Sequence, residues 1–219
     1  NTLDTLVEVT KGKIYETTAT GPDGKKIKTK WGALGDNKTA VIEMAKISGL
    51  TLVDRNKLKP YTYTTYGMGE VIKECLNYGF NNFIIGIGGS ATNDGGLGMA
   101  EALGAILKDK NNKPIKRGII GLGSLNTIDL KNIDKRIRNS SFQIACDVNN
   151  PLYGPNGATY IFGPQKGFNS EEIELIFLND NIIFLENKKG VSLNFSDSLI
   201  LLSSSSPSIL GMMRSEIIN

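Results

Sequence analysis

The 219-residue chain carries a net charge of +3 and 40% apolar residues. That length suits one large domain or one and a half small ones, and the apolar fraction supports a packed core rather than wholesale disorder. The small charge is no footing for a nucleic-acid partner, and no apolar run approaches the roughly 20 residues that span a bilayer.

In chain order, Leu3 to Val9 places apolar residues where a short helix needs them. Lys13 to Thr20 and Lys25 to Leu34 read as two strands of a hairpin, joined by the turn residues Gly21-Pro22-Asp23-Gly24. Thr39 to Ser48 reads as a helix with Val41, Ile42, Met44, Ala45 and Ile47 on its apolar face, and Gly49 stands at its C-cap. Pro60 to Tyr66 is a polar, aromatic approach to a helix over Gly69 to Gly79. Phe83 to Ile87 is a continuous apolar run, as in strands buried on both faces of an α/β sheet. A loop of small and polar residues, Gly88 to Gly96, leads into a helix over Leu97 to Leu107. Phe142 to Cys146 is a second buried strand that stops at Asp147, and Glu171 to Leu185 is helical. This alternation predicts a layered α/β domain. From about Gly190 the chain loses any period and includes a run of four serines, Ser203 to Ser206.

Two cysteines, Cys75 and Cys146, are too few for a disulfide framework and point to a reduced cytosolic compartment. No histidine occurs. A Ser-His-Asp triad, a Cys-His pair and a His-rich zinc site are therefore excluded within this chain. Phosphoryl transfer tolerates that restriction, because it rests on positioning and charge stabilisation, with Asp a common base. The chain opens with Asn1 rather than Met, which predicts a piece cut from something longer.

Four stretches carry candidate chemistry. In Gly88 to Gly96 the glycines let N–H groups approach an anion, Ser90, Thr92 and Asn93 add side-chain donors, and Asp94 adds a carboxylate for Mg²⁺ or a hydroxyl proton. The structural alternative is a tight strand-to-helix turn with Asn93 or Asp94 as a cap. A Walker A loop is ruled out because no Lys lies here. The dinucleotide pattern is matched only formally, by Gly86, Gly88 and Ala91. In Ala145 to Gly157, Asp147 ends a strand among Asn149, Asn150 and Asn156, which favours a cleft carboxylate over an Asx turn. In Phe162 to Gly167, Lys166 lies between glycines on a short loop, where solvation is the commoner fate of a lysine. Thr64 to Glu70 reads as a helix start. Cys146 and Trp31 read as packing residues.

Together these stretches resemble the bacterial-type glycerate kinases. The resemblance rests on Gly88 to Gly96 (GGSATNDGG), on Leu34-Gly35-Asp36 with Thr39 to Ala45, and on Thr64 to Glu70. It also rests on Ala145 to Ala158 and Phe162 to Gly167, and the Ile128-Asp129-Leu130 segment agrees. It covers roughly residues 1–187 and leaves 188–219 as a divergent, poorly ordered tail.

The resemblance implies a layered α/β/α fold, mainly the inserted domain of a two-domain enzyme with its site in the cleft between domains. It implies transfer of the γ-phosphoryl group of ATP to glycerate with Mg²⁺, in the cytoplasm, without nucleic-acid or membrane partners. Asp94, Asp147 and Lys166 become the expected catalytic residues. Gly88, Gly89, Ser90, Thr92, Asn93, Asn149 and Gln165 become the expected substrate or phosphate contacts. Asp94→Asn is then expected to cut turnover with little loss of stability. The family's motifs before this chain's first residue and after its Gly167 helix are missing from it. A truncation, a pseudogene or a disrupted reading frame each accounts for that, and an inactive remnant is the alternative function.

Overall fold

The computed structural model describes residues 2–146, 148, 150 and 155–176. The tail expected over 188–219 and the far part of the helix expected from Glu171 lie outside the described residues; 170–176 is helical.

Helix α1 (Thr2–Val9) is followed by the hairpin β1 (Lys13–Thr20) and β2 (Lys26–Ala33), paired antiparallel from Lys13 with Ala33 to Thr20 with Lys26. Strand β3 (Thr39–Glu43) joins β2 antiparallel. Helix α2 (Tyr66–Asn77) crosses over to β4 (Asn82–Gly86), which lies parallel to β3. A short helix α3 (Leu97–Ala102) precedes β5 (Ile106–Lys108). A one-turn helix α4 (Ile119–Leu122) precedes β6 (Thr127–Asp129), and β5 and β6 form a separate two-stranded ribbon. Strand β7 (Ser141–Ala145) then adds parallel to β4, and α5 (Ala158–Lys166) follows. The main sheet has the order β1-β2-β3-β4-β7.

The period-2 alternation of the strands sorts the core into two layers. On one face Val41 and Ile84 meet Leu3, Leu6 and Val7 of α1. On the other, Trp31, Ala33, Ala40, Ile42, Phe83 and Ile85 meet Met68, Val71, Ile72 and Cys75 of α2 and Met99 of α3. The expected layered α/β arrangement is thus present, with α1 on one side and α2 and α3 on the other. No helix among the described residues is long and apolar enough to cross a membrane.

Two expected helices are corrected. Thr39 to Ser48 is β3 followed by a 3₁₀ turn, Met44–Lys46. Ala40, Val41 and Ile42 are buried consecutively, because a strand with layers on both faces hides every residue, not every third or fourth. Gly49 is extended, not a left-handed cap, and it forms a β-bridge with Ser90. The helix expected over Leu97 to Leu107 ends at Ala102. Gly104 has φ +111°, its N–H donates to Glu101 O and that of Ala105 to Ala100 O. This Schellman closure stops the helix and frees Ile106 to Lys108 to become a strand.

Candidate functional site

Strands β3, β4 and β7 are parallel, so their carboxyl ends gather at one end of the sheet. Ligands of open α/β sheets bind there. From β3 the chain turns through Ile47 and Ser48 to Gly49, from β4 it enters the 88–96 loop, and from β7 it reaches Cys146.

The loop is tied down on one side by backbone bonds: Leu50 N–H donates to Gly89 O and Ala91 N–H to Ser48 O. Gly88 and Gly89 are exposed, whereas Ser90, Thr92 and Asp94 are buried and Asn93 is half-buried. Asn93 donates from Nδ2 to Thr159 Oγ1 of α5, at 3.1 Å.

Asp94 faces inward. Its Oδ2 accepts from Thr65 N–H at 2.8 Å and from Gly98 N–H at 3.3 Å, and its Oδ1 accepts from Gly96 N–H at 3.1 Å. The Thr65 hydroxyl also donates to this carboxylate and accepts from Met99 N–H. One carboxylate therefore serves the N-termini of both α2 and α3, whose first N–H groups have no helical partner. Gly98 makes this possible, since a Cβ there would stand 2.1 Å from Thr64 Oγ1 and 3.0 Å from Asp94 Oδ2. Burial pushes the Asp94 carboxyl up from the ordinary range, and the Thr65, Gly96 and Gly98 donors pull it back.

Lys166 is not on a loop. It ends α5, and Gly167, with φ +105°, closes the helix behind it. Gly163 and Pro164 hide that helix in the sequence. Pro164 lies in its last turn, where its missing N–H costs one bond. Lys166 is 3% exposed, and its ammonium donates to Thr92 O at 2.7 Å, across 74 residues of chain. Burial pushes the amine down to about 8, opposed by the charge of Asp94. Thr92 Oγ1, beside that contact, is buried and has no hydrogen-bond partner among the described residues.

The structure therefore brings Ser90, Thr92, Asn93, Asp94 and Lys166 together. Gly88 and Gly89 form the open rim, and Gln165 points into solvent on α5. Asp147 and Asn149 lie outside the described residues. Thr65 and Thr159 were not singled out by their chemistry, although Thr65 lay in a stretch read as a helix start. The signal that finds Thr65 is contact with Asp94, which one sequence does not reveal.

Two groups implied by the resemblance meet this geometry differently. An anion fits the rim of two exposed glycines, and the buried Lys166 ammonium is held against Thr92 O on the inner side of the same loop. Mg²⁺ does not fit Asp94, because both its oxygens are taken by protein donors. Among the described residues no group of three His, Cys, Asp or Glu stands together as a metal cage. The dinucleotide pattern also fails, since α3 begins at Leu97, beyond Gly86, Gly88 and Ala91.

A glycine-rich loop at the carboxyl end of a parallel strand, backed by a buried lysine, stands where ligands of open α/β sheets bind. Residues 1–181 match the model of the glycerate kinase family, and the chain belongs to that family. It is 45% identical over 197 residues to a glycerate kinase of Bacillus subtilis (strain 168), covering 90% of this chain and 52% of that one. It is 48% identical over 181 residues to a glycerate 2-kinase of Escherichia coli (strain K12), covering 83% and 47%. A crystal structure assigned as glycerate kinase 2 from Salmonella typhimurium LT2 superposes with a TM-score of 0.84 at 40% identity, covering 93% of this chain and 54% of that one. The chain spans about half the length of these relatives.

Proposed function

We propose that this chain supplies one side of the active cleft of an ATP-dependent glycerate kinase. The phosphoryl acceptor is a glycerate hydroxyl and the product is phosphoglycerate. The observation that supports the reading most is the Lys166–Thr92 contact, in which a buried ammonium is held against the inner side of the 88–96 loop. Phosphoryl transfer spreads negative charge over the transferred group, and a fixed cation in a water-poor site stabilises it strongly.

In this reading Lys166 holds the charge. The rim at Gly88 and Gly89 takes carboxylate or phosphoryl oxygens through backbone N–H groups, with Thr92 behind it. Ser90 and Asn93 shape the loop, and Gln165 borders it. Asp94 is a positioning residue. Proton or metal duty falls to Asp147, with Asn149 beside it, on the strength of the family motif alone. The division into a kinase-like region, 1–187, and a divergent tail, 188–219, and a cytoplasmic setting belong to the same proposal. Identity to named glycerate kinases across most of the chain favours a kinase over an inactive remnant.

³¹P NMR of this chain assembled with the complementary segment of a glycerate kinase, incubated with ATP, Mg²⁺ and D-glycerate, tests the reading. ADP and phosphoglycerate should grow in equal amounts, and the phosphorus shift and coupling identify the phosphorylated hydroxyl. ATP loss that ignores glycerate would refute it.

A further inference from the structure

Helix α5 packs inward without the stripe of large apolar residues that usually seats a helix. Its buried residues are Ala158, Thr159, Gly163 and Lys166. Thr159, Gly163 and Lys166 follow one another at i, i+4 and i+7, so they share one face, and none is a large apolar residue. By contrast, α2 buries Met68, Val71, Ile72, Cys75 and Leu76. Side chains of that size interlock with their neighbours and fix a helix's register, which a face of small residues does not do. On α5 that task falls to polar contacts.

Two such contacts reach the 88–96 loop, and they reach adjacent residues. Thr159 Oγ1 accepts from Asn93 Nδ2 at 3.1 Å, and Lys166 Nζ donates to Thr92 O at 2.7 Å. Seven residues of helix set Thr159 and Lys166 roughly 10.5 Å apart along the axis. Helical side chains lean towards the N-terminus, which lets a long lysine stem reach back and close that gap. Behind Lys166, Gly167 turns the chain and Phe168 is buried with Ile119, Ile173 and Ile176. This anchor sets where α5 ends. The Thr159 contact, at the opposite end, sets the direction in which the helix runs and its roll. The lysine needs that guidance. Its ammonium carries three donors, the described residues give it one acceptor, and burial favours its escape to water. A roll by one residue position, about 100°, would take it off Thr92. Thr159 suits the duty, since it is buried and its branched Cβ restricts where the hydroxyl points.

We infer that Thr159 is a positioning residue: gripped by the Asn93 amide, it fixes the register of α5 on the loop and thereby holds the Lys166 ammonium against Thr92 O. Its weight in catalysis rests on the reading of Lys166 as the charge that serves the transferred group; its hold on the lysine does not.

The test uses this chain assembled with the complementary segment of the Bacillus subtilis relative, as parent, Thr159→Val, Thr159→Ser and Asn93→Ala. Proton exchange of the Lys166 ammonium is followed by ¹H–¹⁵N NMR, its signal assigned by loss in Lys166→Met, and kcat and KM for D-glycerate are measured alongside. Valine keeps the shape of Thr159 and deletes the acceptor. Asn93→Ala deletes the donor, and it decides the matter should the valine variant fail to fold. Either change should speed ammonium exchange by at least about tenfold. Thr159→Val should also lower kcat by at least about tenfold, with KM within about twofold of the parent. Thr159→Ser, which keeps the hydroxyl, should restore both slow exchange and kcat. A hydroxyl that only stabilises the fold would lower the unfolding midpoint and move neither. Ammonium exchange as slow as the parent's in the folded variants would overturn the inference, and so would a serine variant no better than valine. Faster exchange with no turnover in any form, the parent included, would uphold the positioning and remove the kinase reading instead.

Discussion

Lys166 and Asp94 form the charged heart of the site, and their surroundings make distinct demands. The lysine's amine is pushed down to about 8, against an ordinary value of 10.5. Between those two values the unfolded chain holds a proton that the folded chain has released. Stability should therefore rise with pH from about 8 to about 10.5, the sign expected of a buried lysine. Urea denaturation midpoints across that range check this, with Lys166→Met removing the slope. Asp94 carries a different expectation from the one the sequence invited. Its carboxylate accepts from Thr65, Gly96 and Gly98, so Asp94→Asn turns an amide N–H₂ towards at least one buried donor. A loss of about 1–3 kcal/mol is expected, read as a lower denaturation midpoint, instead of a clean loss of turnover. Gly98→Ala should also destabilise, by roughly 1–3 kcal/mol, because its Cβ meets Thr64 Oγ1 and the Tyr66 backbone.

Elements explain why part of this was legible in the sequence. The hairpin, α2 and β4 announce themselves through turn chemistry and apolar runs that have one physical reading, whereas β7 is a strand as expected but alternates exposed and half-buried residues where the apolar run predicts burial. Thr39 to Ser48 does not. Three consecutive apolar residues fit a helix face as well as a strand covered on both sides, and only the neighbours β2 and β4 decide. Lys166 was found by motif but misplaced. Gly163 and Pro164 look like helix breakers, yet a helix tolerates them in a last turn that Gly167 closes. The inward turn of Asp94 is invisible in the sequence because Thr65, which donates both its N–H and its hydroxyl, lies 29 residues away. Helix ends offer a further check. Gly104→Ala forces an L side chain to φ +111° and sets its Cβ 2.3 Å from Asn132 O. It should lower the unfolding midpoint by more than about 1 kcal/mol equivalent, and loosen the junction between α3 and β5.

At the scale of the whole molecule, the carboxyl ends of three parallel strands converge, and α5 returns to seal the loop between them. Positioning of this kind is what phosphoryl transfer asks of a protein. The proposed function gives the parts unequal roles: Asp94 and Thr65 build the loop, and Lys166 and the rim serve the ligand. The central claim is that the Lys166 charge drives glycerate phosphorylation at the 88–96 loop. The most direct measurement is the steady-state rate of D-glycerate-dependent ADP release by the protein and its Lys166→Met variant, in the assembly with the complementary family segment. The account predicts turnover in the parent and a fall in kcat of at least about 100-fold in the variant, with the fold retained. Equal turnover in both, or no glycerate-dependent turnover from a folded assembly, would contradict it.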